Sequence, residues 1–116
     1  MDVENCIFCR IVSGAVKAAV VYEDDCTVAF DDINPRAPVH VVIIPKRHID
    51  MVSDLKEKDA GMFGGLAIAA NRIARIKGIA DSGYRLITNC GKDAGQEVLH
   101  IHMHLLGGRK FAWPPG

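Results

Sequence analysis

The chain has 116 residues, of which 49% are hydrophobic and 24% are charged, as expected of one globular domain spanning residues 1–116. Its 14 basic residues balance 14 acidic ones, so no net field attracts nucleic acid or an anionic membrane, and we expect neither as a partner. The opening residues lack a basic segment followed by an apolar core. We therefore expect a cytoplasmic protein whose four cysteines are thiols or metal ligands rather than disulfides.

A short helix is predicted near the start of the chain, over Cys6–Val12, with Asn5 as its N-cap and Gly14 at its end. The spacing of Cys6 and Cys9 places both thiols on one side of this helix. Such a pair is either half of a zinc site or two small buried apolar residues, and the spacing alone favours neither. A zinc site would require two further ligands.

Three strands are predicted next. The β-branched and aromatic runs Ala18–Glu23 and Cys26–Asp31 indicate a hairpin. Two prolines make residues 31–38 a loop. The run Val39–Ile44 is apolar except for His40 and predicts a central strand that is covered on both faces.

The main helix is predicted from an apolar stripe at helical spacing between Met62 and Ile76. Asp54 and Glu57 form a capping-box pattern at its start, and Gly78 supplies its end. Another strand follows over Gly83–Thr88.

Two loops each have a binding and a structural interpretation. The acidic pair Asp31-Asp32 either receives ribose hydroxyls or caps a turn. The glycine-containing loop at residues 89–95 either brings backbone N–H groups close to an anion or forms a hairpin turn.

Residues 96–106 contain three histidines in strict alternation with apolar residues, which is a β-strand pattern. His100, His102 and His104 are therefore expected on one face, with Ile101, Met103 and Leu105 on the other. Ideal strand geometry separates the outer histidines by about 13 Å, so one zinc ion does not easily bind all three. A neighbouring pair with outside ligands, nucleophilic or acid–base chemistry, and a simple hydrogen-bonded strand remain as interpretations.

These residues resemble a known family. His100-Ile101-His102-Met103-His104-Leu105-Leu106 is similar to the histidine triad (HIT) signature, in which three histidines alternate with hydrophobic residues. Further segments look like the Hint branch of that family: Tyr22-Glu23-Asp24-Asp25, Ala29-Phe30-Asp31-Asp32-Ile33, Ala37-Pro38, Ile44-Pro45-Lys46-Arg47-His48-Ile49, Gly95-Gln96, Leu106-Gly107-Gly108-Arg109 and Trp113-Pro114-Pro115-Gly116. The resemblance covers nearly the whole chain.

The resemblance implies a single HIT domain of α+β class, with a five-stranded antiparallel sheet, one main helix and a short N-terminal helix. It also implies a homodimer with a continuous ten-stranded sheet. The implied activity is hydrolysis of purine nucleoside phosphoramidates through a nucleotidyl-histidine intermediate, with no catalytic metal. The alternative is a nucleotide-binding or scaffold protein with incidental turnover.

Residue roles are also implied by the resemblance. His102 would be the nucleophile, His104 would contact the phosphate and assist proton transfer, and His100 would orient its neighbours. The implied substrate contacts are Asp32 for ribose, Ile33 for the base, and Asn89, Gly95, Gln96 and the backbone N–H of Glu97 for phosphate.

Two departures from the family pattern concern Glu97 and the cysteines. Some Hint members have a serine at position 97, and a carboxylate there would repel phosphate, so we do not expect the Glu97 side chain to bind the ligand. Zinc-binding members have a cysteine pair like that of this chain. The resemblance therefore implies a structural zinc ion held by Cys6, Cys9, His48 and His100.

Overall fold

The computed structural model describes residues 3–116 and contains one five-stranded antiparallel sheet in the order β1-β2-β3-β5-β4. The elements are α1 (Ile7–Ser13), β1 (Val20–Glu23), β2 (Thr27–Asp31), β3 (Val39–Pro45), α2 (Ala60–Ile76), β4 (Tyr84–Ile87) and β5 (Met103–Gly107), with short 3-10 helices at Val3–Asn5, Val52–Asp54 and Glu57–Asp59. The predicted α+β fold, with one main helix and a short N-terminal helix, is confirmed. No helix within the described residues is long and apolar enough to cross a membrane.

The central strand β3 separates two apolar layers. Val41 and Ile43 point to the layer that contains the buried face of α2, whereas Val42 and Ile44 point to the layer that contains Phe8 of α1. This alternation explains why β3 reads as a continuous apolar run: both of its faces are buried. His100, His102 and His104 lie on the α1 side, as described below.

The main helix begins later than predicted. Asp54 ends a separate 3-10 helix, and Leu55 after it has an extended backbone, so the Asp54–Glu57 capping box is not formed. The start is stabilised instead by Asp59, whose carboxylate accepts the Lys56 backbone N–H at 2.9 Å. Gly78 follows the helix with φ +74°, which confirms the predicted end because glycine tolerates this conformation.

The histidine segment joins the sheet only at its second half. Strand β5 starts at Met103, so the expected strand over residues 96–106 is too long and His100 and His102 precede the ladder. The pairing of β3 with β5 stops at Ile43 and Met103, Pro45 beyond it has no N–H to offer, and the Ile101 N–H donates to the Ile49 carbonyl at 2.7 Å. The alternation persists, since Ile101, Met103 and Leu105 all lie in the core layer of α2.

Helix α1 is capped by a cysteine rather than by the predicted Asn5. Cys6 is the N-cap, and its sulfur accepts the Cys9 N–H at 3.4 Å. Asn5 belongs to the preceding 3-10 helix. Gly14 ends α1 in the left-handed conformation, as predicted.

Candidate functional site

The three histidines line up beside Phe8 of α1. The rings of His102 and His104 are 5.0 Å apart, and Phe8 lies edge-on to His102 at 5.1 Å and to His100 at 5.8 Å. His100 and His102 are buried, and His104 is partly buried. The predicted common face for the three imidazoles is thus formed, although only His104 belongs to a strand.

The tautomer of His102 is fixed by a backbone carbonyl. Its Nδ1 lies 2.8 Å from the His100 carbonyl oxygen, which only accepts, so Nδ1 carries the proton. In the neutral ring the lone pair is then on Nε2. No described residue hydrogen-bonds Nε2, and the Thr88 hydroxyl anchors the His102 carbonyl at 2.7 Å. The ring is held in place with one nitrogen free to act as a nucleophile.

A second chain of hydrogen bonds fixes His104. The Arg36 backbone N–H donates to Nδ1 of His40 at 3.0 Å, so neutral His40 carries its proton on Nε2. That nitrogen lies 2.9 Å from Nδ1 of His104 and 3.3 Å from the Asp32 carboxylate. When His40 donates to His104, His104 carries its own proton on Nε2 and can donate it to a ligand.

Burial keeps this pair of rings neutral. Desolvation first, and then the neighbouring His102 and His40, lower the pKa of His104 to about 4. Desolvation also lowers the pKa of His40, against the opposing effect of Asp32. His104 at neutral pH is therefore a neutral hydrogen-bond donor rather than a cation.

The cluster of Asp32, His40 and His104 has the composition of a metal site, but its hydrogen bonds oppose one. A metal on Nε2 of His40 would move the ring proton to Nδ1. The protonated Nδ1 of His40 would then point at the Arg36 backbone N–H, so two hydrogen-bond donors would face each other without an acceptor. The backbone therefore selects a proton relay over a metal site.

A groove of about 560 Å³ runs past these histidines. Of the six residues predicted to bind substrate, five line it: Asp32, Ile33, Asn89, Gly95 and Glu97. Apolar residues of α1 and the sheet also line it, including Ile7, Phe8, Ile11, Phe30 and Val42. The groove thus combines an apolar lining with the imidazoles and the polar loop.

Gln96 is the predicted substrate residue that does not line the groove. Its amide oxygen accepts the Gly91 N–H at 2.9 Å, and its amide nitrogen donates to the carbonyls of Asp50 at 2.7 Å and Val98 at 3.0 Å. Its own N–H donates to the Gly91 carbonyl. These bonds give Gln96 a role in shaping the loop, and a phosphate contact by Gln96 stays a prediction.

The side chains of Asp32, Ile33 and Glu97 are partly or largely exposed at the groove. Asp32 accepts the Asn34 N–H at 2.8 Å and is partly exposed, whereas the Ile33 side chain is 92% exposed at the groove. The Glu97 side chain is also exposed, and within residues 3–116 its backbone N–H makes no hydrogen bond. That N–H is available to an anion.

The remaining histidine, His48, meets His100 and the cysteine pair in a tight cluster. Nε2 of His48 donates to Asp50 at 2.6 Å, and Nε2 of His100 donates to the Pro45 carbonyl at 2.8 Å. Both rings therefore present unprotonated Nδ1 atoms, which lie only 3.1 Å apart. Two facing lone pairs need a cation or a proton between them.

The cluster fits a tetrahedral zinc ion. Cys6 and Cys9 sulfurs lie 3.4 and 3.5 Å from Nδ1 of His100, and the Cys9 sulfur lies 3.2 Å from Nδ1 of His48. A tetrahedral site with ordinary zinc bond lengths has N–N edges of about 3.3 Å and N–S edges of about 3.6 Å. Burial and then the neighbouring Cys6 raise the pKa of the Cys9 thiol to about 11, a cost that a bound cation would offset.

Known proteins share this arrangement of elements. The HIT domain family model matches residues 13–111 of the chain. The chain belongs to the HIT family. It is 46% identical over 113 residues to an uncharacterised HIT-like protein of Synechocystis sp., which covers 97% of this chain and 98% of that protein.

Solved HIT structures superpose closely on the model. A HIT family hydrolase from Legionella pneumophila has a TM-score of 0.94 and 47% identity, covering 97% of this chain and 100% of that one. A zinc-bound histidine triad family protein from Mycobacterium smegmatis has a TM-score of 0.81 and 35% identity, covering 93% of this chain and 78% of that one.

Two residues outside the HIT histidine motif join the site and were not predicted. The sequence pattern indicates His40 only as an interruption in an apolar strand, and Phe8 only as a residue of the N-terminal helix. The signal for His40 was present, because a lone titratable residue in a strand buried on both faces needs a polar partner. No comparable signal marked Phe8.

Proposed function

We propose that this protein is a hydrolase of the Hint branch, which cleaves the P–N bond of purine nucleoside 5′-phosphoramidates. The observation that supports it most directly is the fixed tautomer of His102, which leaves Nε2 unprotonated beside His104 at the groove. An imidazole of this kind is a competent nucleophile at neutral pH without a strong pKa shift.

The reaction proceeds in two displacements at phosphorus. His102 Nε2 forms a bond to phosphorus, and the P–N bond of the substrate breaks as the leaving nitrogen takes a proton from solvent water and departs as the amine. Water then attacks the same phosphorus, the bond to His102 breaks, and the proton of water returns to solvent. The products are the nucleoside monophosphate and the amine, and one water is consumed.

Neutral donors stabilise the charge on phosphorus in both steps. Nε2–H of His104, held in that tautomer by His40, donates to a phosphoryl oxygen. Asn89 and the Glu97 backbone N–H supply further donors at the groove, while the Glu97 carboxylate stays in solvent. The lowered pKa of His104 favours this donor role over full proton transfer.

The nucleoside binds against the apolar lining of the groove. Asp32 receives the ribose hydroxyls through its carboxylate, and the exposed Ile33 packs on the base. The apolar lining accepts either purine, so this arrangement assigns no preference between adenine and guanine.

Zinc would be structural in this protein. Cys6, Cys9, His48 and His100 would hold it, and four protein ligands leave no open position for chemistry. The zinc-bound relative from Mycobacterium smegmatis supports the same assignment. The bound ion would tie α1 to the sheet and fix His100, whose carbonyl in turn orients His102.

A second copy of the chain would extend the five-stranded sheet. We expect a homodimer with a ten-stranded sheet, as the resemblance to the Hint branch implies. Sedimentation should then give twice the chain mass of 12.6 kDa, and a single-chain mass at micromolar concentration would contradict it.

His102→Ala tests the proposed function. We expect the hydrolysis rate of an adenosine 5′-phosphoramidate to fall by about a thousandfold or more, because the intermediate is not formed. Binding of adenosine monophosphate, measured by calorimetry, should change little, which shows that the groove is intact. Undiminished turnover by the variant would remove His102 as the nucleophile, and absence of turnover in the wild type would favour a binding or scaffold role.

A further inference from the structure

Three consecutive residues, His48, Ile49 and Asp50, connect the candidate zinc site to two segments of the groove, and we call them the linking segment. His48 belongs to the Cys/His cluster. The Ile49 carbonyl accepts the Ile101 N–H at 2.7 Å, and the Asp50 carbonyl accepts the side-chain amide of Gln96 at 2.7 Å. A displacement of the linking segment would therefore be transmitted to the histidine segment and to the loop that contains Gln96.

The carboxylate of Asp50 holds His48 in the orientation that a metal requires. Nε2 of His48 donates to this carboxylate at 2.6 Å, which leaves Nδ1 directed into the cluster. Both side chains are largely shielded from solvent, so water does not readily replace the bond. A carboxylate in this position fixes the ring of a metal-binding histidine and makes it a stronger ligand, and its loss typically weakens metal binding by 10- to 100-fold.

Gln96 connects the linking segment to the phosphate side of the groove. Its amide oxygen accepts the Gly91 N–H at 2.9 Å, and its backbone N–H donates to the Gly91 carbonyl at 3.1 Å. Gly95 and Glu97, the residues on either side of Gln96, both line the groove. The position of Gln96 therefore sets where the Glu97 backbone N–H lies relative to a bound phosphate.

We propose that Asp50 couples the candidate zinc site to the phosphate contacts of the groove, because its carboxylate holds His48 and its carbonyl holds Gln96. This inference rests on the proposed function, which assigns the phosphate to the Glu97 N–H, and on the zinc assignment made there. Such coupling is reciprocal: zinc strengthens nucleotide binding by the same factor by which the nucleotide strengthens zinc binding. Asp50 acts through His48 and Gln96, so it is a positioning residue.

The first experiment measures this coupling factor without turnover. Competition with a chromophoric chelator gives the zinc dissociation constant with and without saturating adenosine monophosphate, and calorimetry gives the nucleotide dissociation constant of zinc-loaded and zinc-free protein. We expect both ratios to agree at about fivefold or more. Gln96→Met keeps the length of the side chain but removes its amide hydrogen bonds, and should bring the factor close to one. Each factor is a ratio within one protein, so any direct phosphate contact that the variant loses cancels.

Variants of Asp50 test the contact with His48 separately. Asp50→Ala should raise the zinc dissociation constant by about tenfold or more, whereas Asp50→Asn keeps an acceptor for Nε2 of His48 and should lose much less. Asp54→Ala removes an exposed carboxylate from the neighbouring 3-10 helix and should change neither the zinc affinity nor the coupling factor. Should Gln96→Met fail to fold, the Asp50 variants still provide the test, because the Asp50 side chain lies partly at the surface.

A coupling factor of one in the wild type would overturn the inference and leave both the hydrolase and the zinc assignment standing. A factor that persists in Gln96→Met would also overturn it, because coupling through general stabilisation of the folded chain does not require Gln96. Equal zinc affinity in the wild type and Asp50→Ala would overturn it as well. If the wild type neither hydrolyses a phosphoramidate nor binds adenosine monophosphate, the proposed function fails and the inference fails with it.

Discussion

In the proposed function, the position of one proton decides whether Nε2 of His104 donates to a phosphate. The Arg36 N–H sets the tautomer of His40, and His40 sets that of His104 through a 2.9 Å contact. A donor on Nε2 of His104 is useful at a phosphoryl oxygen, whereas an acceptor there would repel it. We therefore propose that His40 is a positioning residue that acts through His104.

Two variants of His40 test this relay. His40→Leu removes the donor and lets His104 adopt either tautomer, so we expect kcat to fall on the order of tenfold with little change in KM. His40→Gln keeps an N–H near the position of Nε2 and should retain most of the activity. Steady-state kinetics with one phosphoramidate substrate measure both, and equal losses in the two variants would show that His40 only fills space.

The sequence was sufficient to find the three signature histidines but not His40. Strict alternation predicts a shared face even without knowledge of the fold. The role of His40 depends on the register of β3 and β5, which pairs His40 with Leu106 and Val42 with His104, so that His40 lies diagonally next to His104. Register between strands 60 residues apart cannot be derived from local pattern.

At the scale of elements, α1 is attached to the sheet by the same residues that form the candidate zinc site. Cys6 and Cys9 belong to α1 and its cap, whereas His48 follows β3 and His100 precedes β5. Phe8 of α1 packs edge-on against the rings of His100 and His102. Loss of the ion would therefore loosen both α1 and the wall of the groove.

The cysteine pairs of this chain provide a matched test. We expect the purified protein to contain one zinc per chain by elemental analysis, and Cys6→Ser/Cys9→Ser to contain none. The variant should lose about 3 kcal/mol of unfolding free energy when zinc is present at a hundred times its dissociation constant. Cys26→Ser/Cys90→Ser changes two exposed cysteines and should alter neither quantity. A zinc-free wild type of equal stability to the first variant would contradict the assignment.

Element boundaries were predicted less well than element types, and the reasons are local. The histidine strand starts late because Ile101 bonds Ile49 rather than β3, whose Pro45 lacks an N–H, and the main helix starts late because Asp54 belongs to a separate 3-10 helix. At both boundaries, a neighbouring segment forms the backbone hydrogen bonds that the predicted strand or helix would have formed. Patterns read within a single segment do not contain that information.

At the scale of the whole molecule, the buried histidines make stability depend on pH. His104 has a pKa of about 4 in the folded chain, against an ordinary value of 6.5. Between these values the unfolded chain binds more protons, so this contribution to stability is fully present above about pH 6.5 and is lost as the pH falls toward about 4. His102, His40 and Asp32 are the titratable groups that act on His104.

His104→Gln isolates this effect. The variant should show a smaller loss of unfolding free energy between about pH 7.5 and pH 5 than the wild type, whatever its stability at neutral pH. Urea unfolding at the two pH values measures the difference. The same pH dependence in both proteins would mean that His104 is not held neutral by the fold.

The most direct test of covalent catalysis by His102 is to look for the nucleotidyl-histidine intermediate. After rapid mixing with an adenosine 5′-phosphoramidate, intact-protein mass spectrometry should show a transient adduct of one nucleotidyl group, and peptide mapping should locate it on His102. His102→Ala should show no adduct. Formation of product by the variant at the wild-type rate, or an adduct on another residue, would contradict the assignment of His102 as the nucleophile.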